Sequence, residues 1–498
     1  MKNSSLYLPG LHWSTLRRKP RSTLQKMADE ADRIRKHSQS QLGDCFSRFI
    51  PMKELDHDVN GPFSRRRLYS KANTFWAFFS QILDADGGCQ EVVRKIQAFA
   101  GERSLKVPSA STSAYCQARH KLDESMMEKI LNHTSKTLHE RSQKQGWKGR
   151  RVIVVDGTGI SMVDTPENQQ TWPQPKGQQP GCGFPQGRIC ACFCLHTGAL
   201  LSYRLGDRKK SELPMLRQQW GTFNKGDIFL GDKGFCSYYD VWKLQQFGVD
   251  SILTLARRTP VEAASAVKIL GENDLLIQWP KPLWSKQHSY GRAEWEALPD
   301  VLTLRQIKVD VNAPGYRTKS FYLVTTMTDP EAYPASELAE LYYQRWDVEL
   351  FFRDIKTTMG MDVLRCKTPS MVRKEILMHF IAYNAIGLLM FEAAQMAKQH
   401  PRRLSFKATI QALRQWEPVL NRQGLKVLER HRLMALLHDA IASLIVPERL
   451  GRREPRCVKR RPKNFQCLTA PRHEMIECLH RTKITSIRDK ECCRQAFQ

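Results

Sequence analysis

The 498 residues predict a mixed α/β fold: a central sheet, interrupted by a β-rich insertion and flanked by helical N-terminal and C-terminal regions. Three observations predict it. From Arg151 to Leu255, short apolar runs rich in β-branched residues alternate with helix-length segments. From 259 to about 330 the rhythm breaks into alternating stretches without convincing helices. Before 145 and after Ser336 the apolar spacing is helical.

The elements follow in order. Leu16 to Lys36 reads as a basic amphipathic stretch, Thr74 to Leu83 as a compact apolar helix, and Ser111 to Leu122 as a helix bearing Arg119 and Lys121. Val152 to Val155 reads as a buried strand ending at Asp156, where Gly-Thr-Gly predicts a turn. Residues 164–187, rich in Pro, Gly and Gln, read as a loop. Ile189–Leu195 and Leu200–Leu205 continue as strands, with a helix near Glu212 to Phe223. Ile228–Leu230 is a short strand running into Gly231-Asp232. A helix near Tyr238 to Phe247 and a strand from Ser251 to Leu255 complete the set. Past the insertion, Ser336 is the expected N-cap of a long helix reaching about Lys356, with Glu337 and Glu340 in its first turns. Helices then run from Lys374 to Ala397 and from Thr409 to Ile445, before a basic tail over 451–498.

Composition narrows the function. The net charge of +28 makes a polyanion the leading partner. The excess lies on the flanks, where backbone tracking along DNA is expected. Residues 1–150 and 451–498 carry most of it. The most apolar stretch, Ile376 to Phe391, contains His379 and Asn384 and falls short of a bilayer span; it reads as a buried core helix. Fourteen cysteines without a C-x2-C pair do not make a zinc or disulfide framework. Cys190, Cys192 and Cys194 alternate on one strand face as small core residues. Reduced thiols and no export signal indicate a cytoplasmic protein. No Ser-His-Asp order, P-loop or dinucleotide fingerprint occurs.

Asp156 and Asp232 sit at the ends of strands, where side chains from neighbouring strands converge. Carboxylates brought together need cations, and hard oxygen donors suit Mg²⁺ or Mn²⁺. A third acid can come from the helix after the insertion. Glu349 shares that helix with Glu340, Asp347 and Asp354, and spacing alone does not choose among them. Tyr342, Arg345, Glu349 and Lys356, however, are 3, 4 and 7 positions apart and fall on one helical face. That face is either a solvated one with an Arg345–Glu349 pair or a phosphate-gripping surface around a metal ligand.

The spacing Tyr342-x2-Arg345-x3-Glu349-x6-Lys356 resembles the signature of bacterial insertion-sequence transposases of the IS-four type. These are DDE transposases with an RNase H-like catalytic domain. VIVVDGTGI and IFLGDKGF resemble the family's two Asp blocks, although Lys233 stands where some relatives carry Arg. STSAYCQARHKL and EPRCVKRRPKNF resemble further family segments. The resemblance implies that Asp156, Asp232 and Glu349 bind two Mg²⁺ ions, with Mn²⁺ as substitute. It implies that Tyr342, Arg345 and Lys356 contact DNA near the scissile phosphate. Trp279, Trp284 and Trp295 become candidates for supporting a flipped base at a hairpin step. The expected activity is cleavage of terminal inverted repeats and their joining to target double-stranded DNA, within a homodimeric complex at the nucleoid. The alternative is a domesticated, inactive, sequence-specific DNA-binding protein.

The expected organisation is a helical DNA-binding region at 1–148 and an RNase H-like core at 149–258. The β-rich insertion occupies 259–333, completing core helices 334–400, and a helical region with the basic tail 401–498.

Overall fold

The computed structural model describes residues 46–446, except for 57, 59, 65–66, 103, 105–106, 143–145, 256–259, 287, 289, 312–319 and 421–424, together with residues 468, 470, 471 and 474. The expected Leu16–Lys36 stretch lies outside the described residues, as does nearly all of the basic tail.

Nine strands form one mixed sheet in the order β3-β2-β1-β4-β5-β9-β8-β7-β6. β1 (Val152–Ser161), β2 (Gln186–Cys194) and β3 (Leu200–Asp207) make an antiparallel meander. β4 (Ile228–Gly231) and β5 (Asp250–Thr254) then add parallel to β1, with α7 (Tyr238–Gln246) in the crossover between them. That five-strand pattern is RNase H-like, as expected. Helices before the sheet are α1 (Lys71–Leu83), α2 (Cys89–Glu102), α3 (Ser113–Lys121) and α4 (Glu124–Ser142); α5 (Pro166–Thr171) follows β1, and α6 (Glu212–Arg217) follows β3.

Two expectations within this core change. The first strand does not stop at Asp156. Gly157 and Gly159 pair with Cys190 and Arg188 of β2, so the ladder carries the chain through Gly-Thr-Gly to Ser161. Glycines that promise a turn in isolation are held extended when a neighbouring strand offers the full set of hydrogen bonds. Residues 164–187 also contain α5, which Thr165 caps by accepting from the Asn168 N–H.

The β-rich segment is continuous with the core. β6 (Lys268–Gly271), β7 (Asp274–Pro280), β8 (Val301–Asp310) and β9 (Ser320–Thr325) form antiparallel pairs, and β9 joins the edge of β5. A short helix, α8 (Arg292–Glu296), interrupts it. Arg305 is fully buried there. Its guanidinium grips both Asp274 oxygens at 2.7 and 2.6 Å and donates to the Tyr333 carbonyl at 2.6 Å.

The helix after the insertion departs from the expected single rod. α9 (Ala335–Tyr343) begins with Pro334, not Ser336, at the N-cap. A 3₁₀ turn (Gln344–Trp346), α10 (Asp347–Arg353) and a π-helical turn (Asp354–Thr358) follow. The changes of pitch re-aim side chains that an unbroken helix would stack on one face.

α11 (Pro369–Met396) is the central post of the protein. It is long and apolar enough to cross a membrane, but 89% of its most apolar window is buried inside the protein. Its polar residues are satisfied by neighbours. Asn384 accepts from the Leu200 N–H and donates to the Leu200 carbonyl, both at 2.9 Å. Lys374 donates to the His120 carbonyl at 2.8 Å, and Glu375 accepts the Arg365 and Cys366 N–H groups. α1 and α4 pack against one part of it, α12 (Phe406–Leu420) and α13 (Val427–Ser443) against another. The expected continuous helix from Thr409 to Ile445 is therefore two. Cys190, Cys192 and Cys194 are free thiols buried in the core, as expected.

Candidate active site

The site is built at the end of β4 and alongside the middle of β1. Val154 pairs with Leu230 in parallel register. Two residues further along each chain, Asp156 and Asp232 come level with each other on the same face. Each acid is oriented by the backbone beside it. Asp156 Oδ1 accepts from the Gly157 N–H at 2.7 Å, and Asp232 Oδ1 accepts from the Gly234 N–H at 2.7 Å. The second bond also caps the 3₁₀ turn Lys233–Phe235. Neither Oδ2 atom makes a hydrogen bond among the described residues.

The helix after the insertion lays its signature residues against these strand ends. Arg345 Nη1 lies 4.0 Å from Asp156 Oδ2. Lys356 Nζ donates to Thr158 Oγ1 at 3.1 Å, two residues beyond Asp156 on the same face. Tyr342 is buried; its hydroxyl donates to the Gly231 carbonyl at 3.3 Å and shares a hydrogen bond with Thr254 Oγ1. Three of the four signature residues thus converge on the two Asp strands, and the solvated-face alternative fails for them. Arg345 is 7% exposed, and its ion pair is with Asp156 instead of Glu349. Its Nε has no hydrogen-bond partner among the described residues.

Glu349 is exposed, one turn beyond Arg345, and forms no ion pair among the described residues. Asp347 is held by Arg402, Asp354 by Arg353. No group of three His, Cys, Asp or Glu side chains among the described residues is gathered closely enough to hold a metal ion. The structure brings Asp156 and Asp232 together but leaves Glu349 at the rim.

The electrostatics at Asp156 are those of an acid that resists ionisation. Burial pushes the Asp156 carboxyl up to about 6. The Gly157 N–H and Arg345 oppose that shift; Asp232 and Glu212 reinforce it. Two half-buried carboxylates, level with each other and each with one oxygen unbonded, fit a hard divalent cation.

Glu212 and Arg188 were not among the residues expected here. Glu212 is the first residue of α6, and Arg188 Nη1 lies 3.6 Å from its Oε1. The only signal in the sequence is an acid at a helix start just after β3, which on its own is an ordinary helix-terminus preference. Of the expected tryptophans, Trp279 packs edge-on against Tyr238 at 5.5 Å. Trp284 and Trp295 meet at 6.1 Å beneath the Arg292 guanidinium.

Residues 147–385, which contain the mixed sheet and the two Asp strands, match the transposase DDE domain family. The chain is 26% identical over 414 residues to the transposase InsG for insertion sequence element IS4 of Escherichia coli (strain K12), covering 82% of this chain and 89% of that one. Over most of its length the chain is thus similar to a DDE transposase of the IS4 type. A piggyBac transposase, solved by cryo-electron microscopy in a synaptic complex with hairpin DNA, aligns with a TM-score of 0.39 at 9% identity, over 82% of this chain and 84% of that one.

Proposed function

We propose that this transposase binds the terminal inverted repeats of its own insertion sequence, cleaves the ends by metal-dependent phosphoryl transfer and joins them to target double-stranded DNA. Asp156, Asp232 and Glu349 would hold two Mg²⁺ ions, with Mn²⁺ as substitute. A divalent ion held by these residues would supply activation of an attacking oxygen and charge neutralisation at the leaving one.

The remaining steps belong to the protein's own groups. Arg345 and Lys356 offset the charge of the scissile phosphate from fixed positions. The Nε of Arg345 is a buried donor without a hydrogen-bond partner among the described residues. Tyr342 serves the DNA side of the site through the Gly231 carbonyl, holding the chain that turns into Asp232. The region before residue 148 and the tail after 451 supply most of the positive charge for end binding. Trp284 and Trp295, layered with Arg292, are the better-placed pair for stacking a flipped base; Trp279 is occupied by Tyr238. A homodimer working at the nucleoid in the cytoplasm completes the proposal.

One observation carries this reading: Arg345 pairs with Asp156 itself and Lys356 bonds Thr158 two residues further along the same strand. The test is nicking of a supercoiled plasmid bearing the terminal repeats, in Mg²⁺. Asp156→Asn is expected to abolish cleavage while repeat binding persists in a mobility-shift assay. Normal nicking by that variant would overturn the assignment.

A further inference from the structure

Thr158 stands two residues beyond Asp156 on β1, about 7 Å along the same face of the strand. Gly157 and Gly159 flank it, so Thr158 is the only side chain that β1 offers between Asp156 and Ile160. It is half-buried, and its Oγ1 accepts a hydrogen bond from Lys356 Nζ at 3.1 Å.

The backbone beneath Lys356 is fixed. Lys356 lies in the π-helical turn Asp354–Thr358, next to the fully buried Ile355 and ahead of a chain reversal at Gly360. Gly360 has φ +77°, a left-handed conformation that favours glycine. The reversal closes back on the turn. The Met361 N–H donates to the Ile355 carbonyl at 3.3 Å, and the Asp362 N–H to the Lys356 carbonyl at 3.2 Å. The chain then runs beside β1 itself. The Ser161 N–H donates to the Asp362 carbonyl at 3.4 Å, and the Leu364 N–H to the Ser161 carbonyl at 3.0 Å. These bonds anchor the main chain, but they do not direct the flexible four-carbon stem of the lysine.

Two groups are within reach of that ammonium. Asp362 Oδ1 lies 3.6 Å away, beyond hydrogen-bonding distance, on a side chain that is half exposed and screened by water. Thr158 holds the ammonium at 3.1 Å, over the strand that carries Asp156. The two partners differ in their chemistry. A carboxylate that captured the ammonium would cancel its charge. A hydroxyl holds it in place and leaves the charge, with two of its three donors, available to a phosphate.

We propose that Thr158 is the positioning residue of Lys356: its hydroxyl keeps the ammonium beside Asp156 and away from Asp362. This rests on the reading of Lys356 as a contact to the scissile phosphate. It also accounts for the extension of β1 past Asp156, since the same strand then carries the acid and, two residues on, the acceptor that aims the cation.

The test is the single-turnover nicking rate of a supercoiled plasmid bearing the terminal repeats, in Mg²⁺ with the full-length protein in excess. Thr158→Val keeps the shape of the side chain and removes the acceptor. Its rate is expected to fall about tenfold or more, the order of a hydrogen bond to a charged group. Thr158→Ser keeps the hydroxyl and is expected to retain most of the rate. Lys356→Met is expected to be slow by itself, and adding Thr158→Val to it should cost nothing further, because the two side chains act as a unit. Thermal melting checks that each variant is folded. Thr158→Ala removes the same acceptor and replaces Thr158→Val if that variant does not melt cooperatively. A wild-type rate in Thr158→Val, beside a slow Lys356→Met, overturns the role of Thr158 and leaves the phosphate contact standing. A Thr158→Ser as slow as Thr158→Val, or a further loss in the double variant, overturns it too, since the effect would then not pass through the ammonium. A wild-type rate in Lys356→Met overturns the phosphate contact, and this inference with it.

Discussion

Asp156→Asn should make the metal-free protein more stable while removing its activity. The ordinary carboxyl value of 3.8 is raised to about 6 in the folded chain, chiefly by burial. For a carboxyl whose folded value lies above its unfolded one, the penalty is absent below the unfolded value. It grows as pH rises toward the folded value and is complete above it. At 1.36 kcal/mol per tenfold change in proton affinity, the ionised side chain costs up to about 3 kcal/mol at pH 8. The side chain stays 24% exposed, so solvent screening lowers the realised figure to about 1–2 kcal/mol. Asn is nearly isosteric and keeps an oxygen to accept the Gly157 N–H. Urea denaturation in EDTA, compared at pH 8 and pH 4, reads the difference directly. The variant should gain stability at pH 8 and gain almost nothing at pH 4. A variant that is less stable at pH 8, or whose gain is the same at both pH values, would refute the reasoning. Mg²⁺ should raise the wild-type midpoint more than that of the variant, because the variant lacks one of the charges the ion offsets.

Two more expectations concern the sheet and the DNA contacts. Arg305→Ala leaves Asp274 buried and unpaired, so it should destabilise the protein by about 3–5 kcal/mol in the same urea assay; a loss below about 1 kcal/mol would show that water replaces the pair. Lys356→Met should weaken binding to all DNA sequences alike and reduce the slope of log affinity against log salt by about one, as measured by fluorescence anisotropy; an unchanged slope would remove Lys356 from the phosphate contacts.

Local chemistry made much of the architecture legible. A four-residue apolar run can only be a buried strand or part of a core helix, and the flanking turn residues choose between them, so β1, β4 and β5 could be located from their own residues. The same holds for the burial of α11: too apolar to be a surface helix, yet carrying Lys374, Glu375, His379 and Asn384, it demanded neighbours able to satisfy those groups. The spacing from Tyr342 to Lys356 marked the segment that faces the two Asp blocks, because helical pitch converts spacing into direction over a few turns.

What the chain could not reveal locally is who meets whom. Gly-Thr-Gly after Asp156 is a turn by local preference and a strand in the protein, because β2, more than twenty residues on, supplies the missing hydrogen bonds. The 3₁₀ and π turns around α10 depend on its docking against the sheet, and they decide that Arg345 pairs with Asp156 while Glu349 faces solvent. Glu212 reads as an ordinary helix-start acid until the fold lays it over the bare α-carbon of Gly157. The sequence by itself determined the two Asp strands and the identity of the signature residues, since these follow from residue type and short-range spacing. Only the tertiary structure decided the ion pairs and the order in which acids approach the site. Those depend on contacts between segments far apart in the chain, whose energies have no counterpart in any local pattern.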